Sequence, residues 1–180
     1  QQEPAPAEGG IIKRAWIGHW QDCATQPGHI SIRGGQYNYD PWAHLRFATV
    51  DTATTEAEVG GLKRGQKSDP DYYVLAVWSL FVTPKGAALT LLDLDRDRIE
   101  GPDIAPRMER AWRKWRLAFL AVEKIGERTI YQTAKRRGLP LREISTSDSE
   151  DVIYRIDRDK SARAYAATPL MADGRFHVPA

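Results

Sequence analysis

Two apolar runs of strand length each end on a single carboxylate, and this pairing constrains the fold more than any other feature of the chain. The first run covers residues 45–51 and ends at Asp51, and the second covers residues 117–123 and ends at Glu123. A carboxylate at the end of a buried strand is costly unless another group pairs with it. One shared cation would satisfy both acids, and carboxylate oxygens suit Mg²⁺ or Mn²⁺. The alternative is that each acid only caps the next turn or helix.

The composition indicates one globular domain of ordinary size. The chain has 180 residues, of which 28% are charged and 42% hydrophobic, with a net charge of +2. So small a charge excludes a basic tail that binds nucleic acid by bulk charge. The single cysteine, Cys23, excludes an internal disulfide and a cysteine-based zinc site, and it fits a reducing compartment. No apolar run approaches the roughly 18 residues of a membrane span, so no membrane contact is predicted.

The order of the predicted elements gives an α/β fold, a mixed sheet with helices on its faces. The turn Pro84-Lys85-Gly86 is a hairpin signal and makes its flanking strands antiparallel. The later strand–helix–strand connections predict right-handed crossovers between parallel strands. This is the layout of the ribonuclease H-like fold, in which the ends of the first and fourth strands lie side by side and would bring Asp51 to Glu123. Strands are predicted at 45–51, 72–82, 87–93, 117–123 and 141–145, and helices at 104–115 and 128–137.

The two ends of the chain carry weaker patterns. Residues 1–10 are predicted to be a linker, and residues 11–22 and 30–42 to form short strands or turns on the main body. We therefore divide the chain into an extension, 1–44, and a main domain, 45–180. Residues 160–172 are compatible with a third helix that Pro169 would interrupt, followed by a short strand at 176–179.

A glycine-rich stretch at 60–68 only partly matches a phosphate-binding loop. In that motif a lysine follows the second glycine directly, but Gln66 follows Gly65 here. The stretch also leads into a predicted strand, so the helix N-terminus that should meet the phosphate is missing. We predict a surface loop and no nucleotide site.

Basic residues crowd two regions of the chain. They form either a solvated helical face or a surface that follows DNA phosphates without reading sequence. The first region carries Arg107, Arg110, Arg113, Lys114 and Arg116, and the second carries Lys135, Arg136, Arg137 and Arg142.

Several short motifs resemble, in order, the C-terminal nuclease domain of the large terminase subunit of tailed bacteriophages. Their order and spacing carry the resemblance, which extends over essentially the whole chain. The matching segments are Gln1-Gln2-Glu3-Pro4 with Ala7-Glu8-Gly9-Gly10 as the linker, Phe47-Ala48-Thr49-Val50-Asp51-Thr52-Ala53, Ser68-Asp69-Pro70-Asp71-Tyr72, Ala121-Val122-Glu123, Asp159-Lys160 with Arg163-Ala164, and Gly174-Arg175-Phe176-His177-Val178-Pro179.

The resemblance implies an endonuclease that cuts concatemeric viral DNA by attack of water on a backbone phosphate. Asp51 and Glu123 would be the catalytic ligands of Mg²⁺ or Mn²⁺, with two ions when a third carboxylate is present. Lys160 and Arg163 become candidates for contacts with double-stranded DNA, as do Arg136 and Arg137 from the second basic region. The resemblance further implies a preceding ATPase domain, a portal protein and a small terminase subunit as partners, and the host cytoplasm during virus assembly as the location.

One departure from the family pattern concerns the third metal-binding carboxylate. In the family it follows the position that corresponds to Ala180, so we expect the domain to be truncated at its C-terminus. Asp159 is the best internal substitute, although a cap of the helix that begins at Lys160 is the preferred interpretation of this residue. Two other functions stay open: a nuclease of the transposase or junction-resolvase type, and a non-catalytic module that docks DNA or a portal.

Overall fold

The computed structural model describes residues 10–33, 35, 37–52, 72–123, 128–145, 154–155 and 160–180. Ten strands and three α-helices lie in these ranges, together with two short 3-10 turns at Arg14–Trp16 and Pro41–Ala43. The strands are β1 (Gly18–Asp22), β2 (Ile30–Ile32), β3 (Tyr37–Tyr39), β4 (Leu45–Asp51), β5 (Tyr73–Thr83), β6 (Gly86–Asp97), β7 (Phe119–Glu123), β8 (Leu141–Ser145), β9 (Tyr154–Arg155) and β10 (Phe176–Pro179), and the helices are α1 (Gly101–Trp115), α2 (Arg128–Arg136) and α3 (Lys160–Ala172).

The strands are hydrogen-bonded in the order β3-β2-β1-β10-β6-β5-β4-β7-β8-β9. β4, β5 and β6 are the predicted antiparallel strands, and β4, β7 and β8 run parallel to one another. β10 is parallel to both β1 and β6, whereas β1, β2 and β3 pair in antiparallel fashion. The predicted mixed sheet with flanking helices is therefore confirmed.

The strand–helix–strand segment follows the sequence closely. β4 and β8 have the predicted bounds, and β7 begins two residues later than predicted but ends at Glu123 as expected. α2 ends beside Gly138, whose φ of +77° is a left-handed conformation that glycine adopts without strain. The amide of Gly138 donates to the carbonyl of Lys135 and closes the last turn. Local signals therefore place these elements.

The hairpin of β5 and β6 forms at the predicted turn but is longer than predicted. Two residues, Pro84 and Lys85, join the strands, so the strands must be antiparallel. Gly86 has a φ of +106°, and the hydroxyl of Thr83 donates to its carbonyl at 2.8 Å. The strand predicted to end at Asp93 continues to Asp97. The predicted end of this strand was wrong. The charged residues after Asp93 still belong to β6, whose acids contact α1 and whose Arg96 contacts Tyr72 on the other face.

α3 also corrects a prediction, because Pro169 does not interrupt it. A proline inside a helix leaves the carbonyl four residues earlier without its amide donor. Here that carbonyl belongs to Tyr165, and the hydroxyl of Thr168 donates to it at 2.8 Å. The helix then continues, with the amide of Asp173 donating to the carbonyl of Pro169.

The contacts within the chain divide it into two compact units. One comprises residues 1–45, 79–92 and 156–180, and the other comprises residues 46–78 and 93–155. β1, β2 and β3 are strands of the sheet, and the predicted division of the chain at residue 45 stays a prediction. No helix in the described ranges is long and apolar enough to cross a membrane.

In the first unit, an aromatic cluster surrounds a buried histidine. The rings of Tyr39 and Phe81 stack with centroids 4.2 Å apart, and the His177 ring lies 6.1 Å from that of Phe81. Gly18 lets the histidine approach the next strand, since a Cβ at position 18 would lie 2.6 Å from its ring. His177 is 3% exposed. Burial, together with the charge of Arg33, lowers its pKa to about 4.

The pKa of His177 predicts a stability that depends on pH. The unfolded imidazole binds a proton below about pH 6.5, whereas the folded one does so only below about pH 4. The free energy of unfolding should therefore fall as the pH decreases from 6.5 to 4, by on the order of 3 kcal/mol. Urea unfolding at several pH values should show this loss in the wild type and in the exposed control His19→Gln, but not in His177→Gln. The same pH dependence in all three proteins would contradict the prediction.

Candidate active site

The ends of β4 and β7 lie next to each other in the second unit. The two strands are parallel, with Phe47 opposite Phe119 and Val50 opposite Val122. Asp51 and Glu123 are the next residue on each strand, so their backbone positions continue this register at the carboxyl ends of the strands. The strand ends are therefore neighbours, as the sequence predicts. The roles assigned to the two acids stay predictions.

Alternation along β4 and β7 fixes which residues are buried. Ala48 and Val50 are buried on one face of β4, as are Leu120 and Val122 on β7. On the other face the rings of Phe47 and Phe119 stack at 5.1 Å. A shift of one residue would move every side chain to the opposite face, so burial of these four side chains holds the register.

The face that carries Thr49 also includes Trp78 on β5. The indole Nε1 of Trp78 donates to the Thr49 hydroxyl at 3.0 Å. Asp51 is two residues beyond Thr49 and therefore belongs to the same face of the strand. Its side chain is exposed, so a dissolved cation or substrate can reach the carboxylate.

A buried arginine at the start of β4 was missed by the sequence analysis. The Arg46 Nε donates to the carbonyl of Trp115 at 2.7 Å, and the amide of Ala118 donates to the carbonyl of Arg46 at 2.8 Å. These bonds join the end of α1 to β4 and lead the chain into β7. The only signal in the sequence is a lone arginine inside an apolar run.

The donors available for a metal are carboxylates. Asp51 and Glu123 end adjacent parallel strands, and oxygen ligands of this type suit hard divalent cations. Among the described residues, no group of three or more His, Cys, Asp or Glu side chains is arranged so that it could hold a metal ion. Asp159, the substitute third ligand, lies outside the described residues, as do the glycine-rich stretch and the acids at 69 and 71.

The residues predicted to contact DNA occupy two helix ends. Lys160 begins α3 and Arg163 is half-buried one turn later, both in the first unit. Arg136 ends α2 in the second unit and is exposed. Arg137 follows it and pairs with Glu109 at 2.9 Å. The DNA-binding role of these residues stays a prediction.

Most of the basic residues on α1 are paired with acids in the second unit. Arg107 contacts Asp97 at 2.8 Å and Asp95 at 3.4 Å, and Lys114 contacts Asp93 at 2.9 Å. These pairs were not predicted, and Asp95 and Asp97 lie beyond the end of the predicted strand, Asp93. Hydrogen bonding to Arg107 lowers the pKa of Asp97. These contacts favour the ion-paired helical face over a DNA surface on this side of α1.

Comparison with known proteins gives a likeness of fold. No family profile and no curated protein matches the sequence. Two crystal structures of the large terminase nuclease from thermophilic phage G20c match the structure, each at 13% identity. The match to one of them covers 91% of this chain and 69% of the G20c chain, with a TM-score of 0.51. The match to the other, which has bound cobalt, covers 97% of this chain and 76% of the G20c chain, with a TM-score of 0.57. The chain therefore has the fold of a large terminase nuclease, the fold that its sequence motifs predict.

Proposed function

We propose that this chain is a metal-dependent DNA endonuclease of the kind that cuts concatemeric DNA for a viral packaging terminase. The observation that carries the proposal is the parallel register of β4 and β7, which sets the positions of Asp51 and Glu123 side by side. The likeness to the G20c nuclease supports the same function. Double-stranded DNA is then the substrate. The proposed partners are a portal protein and a small terminase subunit, and the proposed location is the host cytoplasm.

In this proposal, Asp51 and Glu123 hold one or two divalent ions, Mg²⁺ or Mn²⁺. The G20c nuclease binds cobalt, which is consistent with a divalent ion here. A bound ion would make a water molecule easier to deprotonate and would offset negative charge on the phosphate. Asp51 suits this task because it is exposed at the end of β4.

The proposed reaction is hydrolysis of one phosphodiester bond. The oxygen of a water molecule bonds to phosphorus while the ester bond to the departing sugar oxygen breaks in line with it. The water loses a proton to solvent, and the departing oxygen gains one. The register of β4 and β7 sets the backbone positions of the two acids, and charge that is preorganised in this way is effective because it needs no rearrangement during the reaction.

The first test separates an enzyme from a docking module. Supercoiled plasmid incubated with the protein and Mn²⁺ should be nicked or linearised, and EDTA should prevent this. Persistent cleavage in EDTA would rule out the metal-dependent mechanism. Binding of plasmid without any cleavage would favour the docking module.

Substitution of either acid should abolish cleavage and leave the fold intact. Asp51→Asn and Glu123→Gln keep the size of each side chain but remove its charge, so the cleavage rate should fall by at least about 100-fold. Asp159→Asn should have a smaller effect. The matched control is Asp22→Asn, since Asp22 is also an exposed acid that ends a strand, β1. Wild-type cleavage by Asp51→Asn, with thermal unfolding unchanged, would remove that residue from the site.

Replacing Lys160 and Arg163 should weaken DNA binding to the same extent for all sequences. Each lost phosphate contact reduces the release of counterions, so the slope of log affinity against log salt should flatten by about one unit per residue. Anisotropy with random duplexes at low salt would measure this for Lys160→Ala with Arg163→Ala. Lys85→Ala with Arg113→Ala removes the same charge from two exposed positions as a control. An unchanged slope would leave the α3 pair with a structural role only.

A further inference from the structure

The last part of β6 separates opposite charges onto its two faces. From Asp93 to Arg98 the sequence alternates between acids and other residues. Successive side chains of a strand point to opposite faces of the sheet. Asp93, Asp95 and Asp97 therefore share one face, and Leu94, Arg96 and Arg98 share the other. The same short segment thus presents acids on one side and arginines on the other.

The acids face α1 and form ion pairs there. Asp93 accepts hydrogen bonds at 2.9 Å from the Lys114 ammonium and from the Trp115 indole. Arg107 pairs with Asp97 and Asp95. A groove between this strand and α1 is also lined by Leu75 and Ala111, which shows that the helix lies over this face. The acids are therefore occupied on the side away from the arginines.

The arginines on the other face are held by a tyrosine. The guanidinium carbon of Arg96 lies 3.8 Å from the centre of the Tyr72 ring, and that of Arg98 lies 4.7 Å from it. Both arginines are exposed, and Tyr72 is 38% exposed. Within the described residues, no acid pairs with Arg96. Stacking uses the flat face of the Arg96 guanidinium and leaves its in-plane N–H groups for oxygen acceptors.

The stacked arginines lie on the same face of the sheet as Asp51 and at the same ends of the strands. Trp78 bonds to Thr49, so the face that carries Trp78 on β5 is the one that carries Asp51 on β4. Tyr72 lies six residues before Trp78, so alternation places it on this face as well. β4 and β5 are antiparallel neighbours, and Tyr72 immediately precedes the start of β5 while Asp51 ends β4. All of these residues belong to the second unit.

We propose that Tyr72, Arg96 and Arg98 form a contact site for the phosphates of double-stranded DNA beside Asp51. The inference rests on the proposed nuclease function, because a phosphodiester held at Asp51 places further phosphates of the same duplex along this edge. Arg96 and Arg98 are the binding residues and Tyr72 is a positioning residue. A guanidinium already stacked on a ring loses less freedom when it binds a phosphate. The site reads no sequence, since its ligand is the DNA backbone.

The test is DNA binding in EDTA, where no cleavage occurs. Arg96→Gln with Arg98→Gln should reduce affinity for a random duplex about tenfold at low salt and flatten the salt slope by about two units. The control is Arg110→Gln with Arg113→Gln, which removes the same charge from exposed positions on α1. The control should change affinity by less than about twofold. Equal losses in the two double variants would overturn the site, because net charge alone would then explain the effect.

Tyr72 provides a second, independent measurement. Tyr72→Ala removes the ring and should weaken binding about threefold, whereas Tyr72→Phe keeps the ring and should bind like the wild type. If Tyr72→Phe binds as weakly as Tyr72→Ala, the stack does not position the arginines and its role is refuted. Circular dichroism of each variant confirms that it is folded.

Binding and cleavage then distinguish the two proposals. If the wild type never cleaves plasmid but the arginine variant alone loses affinity, the nuclease proposal fails and the phosphate contact stands. If the wild type cleaves and the arginine variant binds and cleaves normally, the contact site fails and the nuclease proposal stands.

Discussion

The parallel register between β4 and β7 is the constraint on which the rest of the candidate site depends. Burial of Ala48, Val50, Leu120 and Val122 fixes that register, because a slip of one residue would expose all four. Each buried valine or leucine contributes about 1.5–3 kcal/mol relative to its exposed state. Apolar packing therefore determines where the two strands end, although no apolar side chain takes part in the proposed chemistry. Asp51 and Glu123 are positioned by the residues that precede them.

Much of this segment could be predicted from sequence because its signals are local. The apolar runs give β4 and β8 their bounds, and the glycine at 138 marks the end of α2. The failures involve contacts between residues far apart in sequence. The Asp93–Arg98 segment looks like a solvated charge run until α1 lies beside it, and only then can three acids remain in a strand. Pro169 predicts a helix break, and a hydroxyl one residue earlier offsets the lost hydrogen bond.

The candidate site divides in the same way. Asp51 and Glu123 could be predicted as a pair because each ends an apolar run and the fold layout brings the runs together. Arg46 and Arg96 could not. Arg46 has a role only when the end of α1 reaches β4. Arg96 is set apart from most surface arginines by its contact with Tyr72, a contact that it shares with Arg98. Residue type and spacing indicate which groups can do chemistry, but the partner of a charged group is a property of the folded chain.

Because side chains alternate between the two faces of β6, residues that are adjacent in sequence make different contacts. The acids on one face tie the strand to α1, and the arginines on the other face remain exposed. If the pairs were absent, the acids would place negative charge beside any approaching phosphate and repel it. Arg107 and Lys114 offset most of that charge, so the ion pairs on the helix side weaken the repulsion that DNA would otherwise meet on the arginine side. In the proposed contact site, the basic residues of α1 therefore act on DNA only through the acids that they pair with, from the opposite face of the sheet.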